Sequence, residues 1–426
     1  MIIHVVKQGD SIYKISREYG VPVDSIIDAN QLPNTNQLVI GQAIVIPGDF
    51  FNYTIQRGQS LYSISRKFGI PLRTLLEANP QIANPNMIQV GQIIVIPLPP
   101  QKGKTIYVNG YVFPSVTSDV LQSTLPYLTY LSIFSYQVRA DGSLKVINDT
   151  SPIQTSREAG VGPVMVIANI EEGSGFSSEI ANVILTDKQV QDTLIDNVLA
   201  ILKEKNYYGL DIDFEYIYPE DRQNYNNFVS RVVNLLRPMG YTVSVALAPK
   251  ISGDQKGLLY EAHDYPSIGA LVDHVILMTY EWGYTFGPAR AVAPIDQVRK
   301  VLDYAVGVMP SEKIMLGMPN YGYDWTLPFV RGSAARALTN NGAIMLAAEV
   351  GANIRYNNVS QSPYFNYYDS EGKRHEVWFD DARSIAARLE LVDKYNLGGV
   401  SYWTTNKYFA PNWSVLDSMY NVRKVL

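Results

Sequence analysis

The sequence predicts an α/β fold: a closed parallel barrel of eight strand-helix units with a small α+β insertion, preceded by two small βααβ units. Three observations carry that expectation. From Thr105 onward, short apolar runs alternate with helical patterns, as strand-helix units around a parallel sheet require. Ahead of them, residues 3–97 hold an internal repeat of about 50 residues. Within the long region, Tyr208-Gly209-Leu210-Asp211-Ile212-Asp213-Phe214-Glu215-Tyr216 alternates as a strand does, with Asp211, Asp213 and Glu215 on one face and Leu210, Ile212, Phe214 and Tyr216 on the other.

Composition narrows the function classes. At 426 residues and 46% hydrophobic, the chain can build a large core and more than one domain. A net charge of −5 with no long basic run argues against nucleic acid as a partner. Cysteine is absent, which removes disulfides and thiolate metal sites but leaves the compartment open. His4, His263, His274 and His375 are too scattered for a histidine metal site or a Ser-His triad, so neither metal nor cofactor is expected. No apolar run is long enough to span a membrane. Met1-Ile2-Ile3-His4-Val5-Val6 runs directly into folded-looking sequence, and no signal peptide is expected.

In the repeat, His4-Val5-Val6-Lys7-Gln8-Gly9-Asp10-Ser11-Ile12-Tyr13 aligns with Tyr53-Thr54-Ile55-Gln56-Arg57-Gly58-Gln59-Ser60-Leu61-Tyr62. Both copies continue through Gly20 and Pro22, or Gly69 and Pro71, to Ala29-Asn30 and Ala78-Asn79, and close on Gly41–Pro47 and Gly91–Pro97. Asp10 or Ser11 can cap the first helix, Gly20 can end it, and Pro22 suits the start of the second. The expected units are residues 1–48 and 51–97, followed by a proline-stiffened linker over 98–104. These copies resemble the LysM domain, a binder of N-acetylglucosamine-containing glycans such as peptidoglycan and chitin. The resemblance implies a glycan groove at Gly9, Asp10, Ser11, Ala29 and Asn30 in the first copy, and at Gly58, Gln59, Ser60, Ala78 and Asn79 in the second. Gln59 stands where the family usually has an acid. Two such modules favour a polymer, because joined weak sites gain avidity.

Over 105–426 the candidate strands are Ile106–Val112, Tyr130–Phe134, Val164–Asn169, Tyr208–Glu215, Thr242–Ala248, His274–Thr279, Ile314–Pro319 and Gly399–Trp403. Eight over this length suit a TIM barrel. The stretch of about 324–381 exceeds one connection and reads as the α+β insertion walling a cleft.

Three acids along one face of an apolar strand are costly unless paired, hydrated or used. Glu215, nearest the barrel mouth, could protonate a glycosidic oxygen. Asp213, about 7 Å back along the pleat, could keep it protonated by like-charge repulsion. An ion-paired or metal-binding acidic strand satisfies the same letters. The pattern further resembles the signature strand of glycoside hydrolase family 18, Asp-Gly-x-Asp-x-Asp-x-Glu, with Tyr208 in place of the first Asp. The resemblance implies Glu215 as general acid/base, Asp213 as its partner beside Asp211, and the substrate's own acetamido oxygen as nucleophile. Met278-Thr279-Tyr280-Glu281-Trp282 resembles the family's Met-x-Tyr-Asp, with Glu281 replacing the Asp, and implies that Tyr280 donates to the acetamido carbonyl. By the same resemblance Tyr111, Asn320, Tyr321, Glu281, Trp282 and Trp403 line the site, Trp403 as its floor. At the third strand end, Ala168-Asn169-Ile170-Glu171-Glu172 replaces the family's double glycine.

Two N-terminal LysM copies before a family 18 barrel resemble the spore cortex-lytic class. That implies a retaining N-acetylglucosaminidase acting on spore cortex peptidoglycan during germination, made in the mother cell and located in the spore. A chitinase of the same mechanism and a non-catalytic glycan-binding coat protein are the rival expectations.

Overall fold

The computed structural model describes residues 1–32, 37–98, 102–171, 173 and 175–426. Thr105–Val112, Tyr130–Val138, Gly162–Ala168, Gly209–Asp213, Thr242–Leu247, His274–Leu277, Ile314–Pro319 and Gly399–Trp403 form a parallel barrel in chain order. The last strand closes on the first, with Gly399 opposite Tyr107. Leu210 and Ile212 point into the apolar layer beneath the outer helices, while Asp211 and Asp213 face the barrel interior. Those helices carry the expected signals. Lys188–Glu204 starts at Asp187, whose carboxylate accepts the N–H groups of Gln189 and Val190, and it buries Leu194, Ile195, Val198 and Leu202 along one stripe.

The fourth strand departs from expectation. It ends at Asp213, not Glu215, and Tyr216 adopts φ 53°. The chain therefore leaves the pleat, and Tyr216 is exposed instead of joining Leu210, Ile212 and Phe214 in the core.

The insertion begins at Gly322. Five antiparallel strands, Gly322–Leu327, Arg336–Leu338, Arg355–Asn357, Ser362–Tyr368 and Arg374–Trp378, carry the helix Asn340–Glu349. Ala343, Ala347, Phe365, Val377 and Phe379 form its core.

Both small units fold as strand, helix, helix, strand. The first comprises Ile2–Val5, Ile12–Tyr19, Val23–Asn30 and Ala43–Ile46; the second Asp49–Thr54, Leu61–Phe68, Leu72–Glu77 and Ile93–Leu98. The first is docked on the large domain. The Ile354 N–H donates to the Ile40 carbonyl at 2.9 Å, the Arg383 guanidinium to the Gly41 carbonyl at 3.0 Å, and the Ser414 hydroxyl to the Ala29 carbonyl at 3.1 Å. Val39 joins the insertion core, and Ala43 and Val45 join the barrel's outer core. The expected linker, 98–104, falls partly outside the described residues, at Pro99, Pro100 and Gln101. Its end is tied down: the Gly103 N–H donates to the Met419 carbonyl at 2.7 Å, and Lys102 pairs with Asp417 at 2.6 Å.

Candidate active site

The acidic strand sets three carboxyl groups at increasing height. Asp211 lies deepest, where the Tyr111 hydroxyl donates to its Oδ2 at 2.6 Å and the Ser244 hydroxyl to its Oδ1 at 2.5 Å. Burial pushes its pKa up to about 6, against the pull of those two hydrogen bonds. Asp213 is buried above it, and Oδ1 has no hydrogen-bond partner among the described residues. Burial first, then the charges of Glu215 and Asp211, hold its pKa well above the usual carboxylate range. Glu215 is half-buried at the mouth. Burial, seconded by the charge of Glu281, raises it to about 7. An acid poised there is protonated often enough at neutral pH to donate, and its conjugate base survives to accept.

Since the sheet stops at Asp213, side chains hold the segment bearing Glu215. Asn169, just past the third strand, accepts the Glu215 N–H on Oδ1 at 2.9 Å and donates Nδ2–H to the Glu215 carbonyl at 2.8 Å. His263 bonds the Phe214 carbonyl through Nε2 at 2.9 Å, and its Nδ1 accepts the Ala248 N–H at 2.8 Å. That pair of contacts assigns the proton to Nε2. Burial pushes the imidazole down to about 4, so it remains neutral in this role. The Ser178 hydroxyl donates to the Tyr216 carbonyl.

A cleft of about 620 Å³ opens over these acids, lined by Tyr111, Asp213, Glu215, Tyr280, Glu281, Trp282 and Trp403 among the residues expected from sequence. Trp403 is wedged edge-on against Phe134, with centroids 4.8 Å apart, and Tyr111 at 5.4 Å. Asp211 sits below the cleft, reached through Tyr111. Glu281 is held by the hydroxyls of Tyr321 and Tyr323, the latter at 3.1 Å, and is itself set at φ 64°.

Two expected contacts belong to the frame. Asn320 donates Nδ2–H to the Thr404 carbonyl at 3.0 Å and to the Lys407 carbonyl at 2.8 Å. Its amide is thereby spent on the loop after Trp403 and does not line the cleft. Tyr321 likewise reaches the cleft only through Glu281. Phe176, Tyr216, Tyr260 and Tyr284 line the cleft without having been expected. Tyr216, next to Glu215 in sequence, offered the one available signal.

In the small units, Asp10 accepts the Lys7 N–H at 2.7 Å, and Gln59 accepts the Gln56 N–H at 2.9 Å. The Gln59 departure therefore preserves the loop. Gly9 and Gly58 turn these loops at φ 86° and 83°. Ser11 and Ser60 cap the following helices, accepting from Lys14 and Ser63. Asn30 and Asn79 are both buried, with the amide bridging the N–H and carbonyl of Val45 or Val95. Ala29 faces the large domain through its carbonyl, and Ala78 ends the helix Leu72–Glu77.

The model for glycosyl hydrolases family 18 matches residues 108–407, and that for the LysM domain matches 4–47 and 53–97. The chain is 42% identical over 433 residues to a cortical fragment-lytic enzyme of Bacillus subtilis, covering 100% of this chain and 99% of that protein. The crystal structure of the Bacillus megaterium spore cortex-lytic enzyme SleL superposes with a TM-score of 0.87 at 41% identity, over 100% of this chain and 99% of that one. A chitinase from Chromobacterium violaceum gives a TM-score of 0.69 at 25% identity, over 74% and 98%.

Proposed function

The chain belongs to glycosyl hydrolases family 18, and from that premise we propose that it is a retaining N-acetylglucosaminidase that cleaves peptidoglycan, spore cortex fragments in particular. Protonated Glu215 donates to the glycosidic oxygen. The acetamido oxygen of the sugar in the cleft attacks the anomeric carbon, and the departing glycan carries Glu215's proton. Asp213 accepts the acetamido N–H and so orients the group that becomes the oxazolinium, while the Tyr280 hydroxyl donates to the acetamido oxygen. Carboxylate Glu215 then takes a proton from the water that opens the ring, returning the anomeric centre to its original configuration.

One observation carries the reading: Asp213 keeps a buried acceptor, Oδ1, with no partner among the described residues, beside an acid raised to about 7. A buried orphan acceptor is expensive until a donor arrives, and the N–H of an acetamido group is such a donor. The cortex assignment rests on the relatives' names and on the two LysM matches. With it comes a place in the spore. The docked first unit and its neighbour would hold the glycan near the cleft.

Mass spectrometry of digests of cortex fragments and of chitin oligomers tests the substrate, and proton NMR of the first-formed anomer tests retention. Cleavage on the reducing side of N-acetylglucosamine in cortex fragments with retained configuration is expected. An inverted product, or no cortex cleavage, would sink the proposal. The likeness to the Chromobacterium violaceum chitinase favours chitin as the second reading, which chitin oligomers as the better substrate would establish.

A further inference from the structure

Glu215 lies two residues beyond the last paired position of its strand. Pairing to the third strand runs only as far as Asp213 opposite Ala168, and to the fifth only as far as Ile212 opposite Val245. A residue past the ladder has its backbone polar groups free to wander, yet the acid must meet a glycosidic oxygen within hydrogen-bond reach. Asn169 supplies what the sheet does not. Its carboxamide accepts from the Glu215 N–H at 2.9 Å and donates to the Glu215 carbonyl at 2.8 Å, the two bonds a neighbouring strand would make.

Asn169 is fully buried and is itself immobilised. Its Nδ2 also donates to the Ser177 carbonyl at 2.9 Å, and its carbonyl accepts the Ser177 N–H at 2.8 Å. A carboxamide presents a donor and an acceptor side by side without charge and without a proton to lose. Aspartate would turn an acceptor towards two carbonyls and add a negative charge beside the acid. Alanine would leave the Glu215 N–H and carbonyl unmet.

We propose that Asn169 is the positioning residue of the acid/base, fixing Glu215 through its backbone while touching no substrate. The inference rests on the catalytic reading of Glu215 above.

The test uses the full chain, with Asn169→Ala and Asn169→Asp, and two substrates of the same N-acetylglucosaminyl donor. One carries a sugar as leaving group, which must be protonated; the other carries dinitrophenolate, which departs without a proton. Rates are normalised to folded protein by near-ultraviolet circular dichroism. On the sugar substrate kcat should fall about 10²-fold, the scale of a 1 Å misplacement, with KM within about threefold of wild type. On the dinitrophenyl substrate the loss in kcat/KM should be under about tenfold, against about 10²-fold in kcat/KM on the sugar substrate. That ratio reads only the steps through departure of dinitrophenolate, and not the later water attack that uses Glu215 as base. Equal losses on both substrates, an unchanged kcat, or a loss accounted for by unfolded protein would each overturn the proposal. A wild-type chain that cleaves neither substrate would instead overturn the proposed function, and this inference with it.

Discussion

The Tyr111 hydroxyl donates to Oδ2 of Asp211 at 2.6 Å, at the floor of the barrel and below the two upper acids. It is one of two bonds that restrain the pKa of Asp211 against burial. Tyr111→Phe should push that pKa higher and leave Asp211 neutral over more of the pH range. The charge bearing on Asp213 then weakens, and the tuning of the trio is lost. A drop of about tenfold in kcat/KM is expected, the value of a hydrogen bond to a charged group. An unchanged pH-rate profile in this variant would remove Asp211 from the electrostatic account.

Glu215→Gln removes the proton donor and leaves the shape of the cleft. Hydrolysis should fall by about 10²–10⁴-fold while the protein still sediments with wall material. In the wild type, kcat/KM should decline as pH rises through about 7, where Glu215 loses its proton. A protein that bound glycan without catalysis would give the same reading for both chains.

The same group couples stability to pH. Its folded pKa of about 7 exceeds the ordinary 4.5, so the folded state holds the proton more tightly than the unfolded one. That contribution is present in full below about pH 4.5 and is lost as pH rises through about 7. Glu215→Gln has no proton to lose. The melting temperature of the variant relative to wild type should therefore climb between pH 4.5 and 7.5. A difference constant across that window would contradict the elevated value.

Gly41 and Gly91 occupy equivalent places in the two small units, both in the left-handed region at φ 84° and 87°. A Cβ at Gly41 would lie 1.8 Å from the Ile354 carbonyl oxygen, whereas one at Gly91 meets nothing within 4 Å. Alanine at either position incurs backbone strain of about 1–2 kcal/mol. At Gly41 the clash adds about 1–3 kcal/mol and separates the unit from the insertion. Urea melts should show the larger loss for Gly41→Ala, accompanied by faster chymotryptic cleavage after Leu38. Equal losses would mean that the docking contributes nothing.

Period and composition made much of this legible. The barrel strands announced themselves as apolar runs, and the alternation around Asp211 and Asp213 put both acids inside. Aromatics at strand ends, such as Trp403 and Trp282, pointed to the cleft. The end of the fourth strand was not legible, because the letters keep alternating through Glu215. What interrupts the pleat is a set of hydrogen bonds from Asn169, 46 residues away, and His263, 49 residues away from Phe214. Asn320 and Tyr321 sit beside the site in sequence, yet their polar atoms are spent on neighbouring loops and on Glu281. Docking of the first unit was equally hidden. Val39, Ile40 and Gly41 read as that unit's own closing turn, and nothing local marks a surface made for a helix more than 300 residues distant.

The strand that carries Asp211 and Asp213 melts only when the barrel does, but beyond it the backbone bearing Glu215 has, besides the packing of Phe214 and Ile217, a handful of side-chain bonds in place of a ladder. Elements secured so sparsely open at lower free energy than the cooperative core. On warming, catalysis should consequently fail while far-ultraviolet ellipticity is still native, and recover on cooling until the barrel itself gives way.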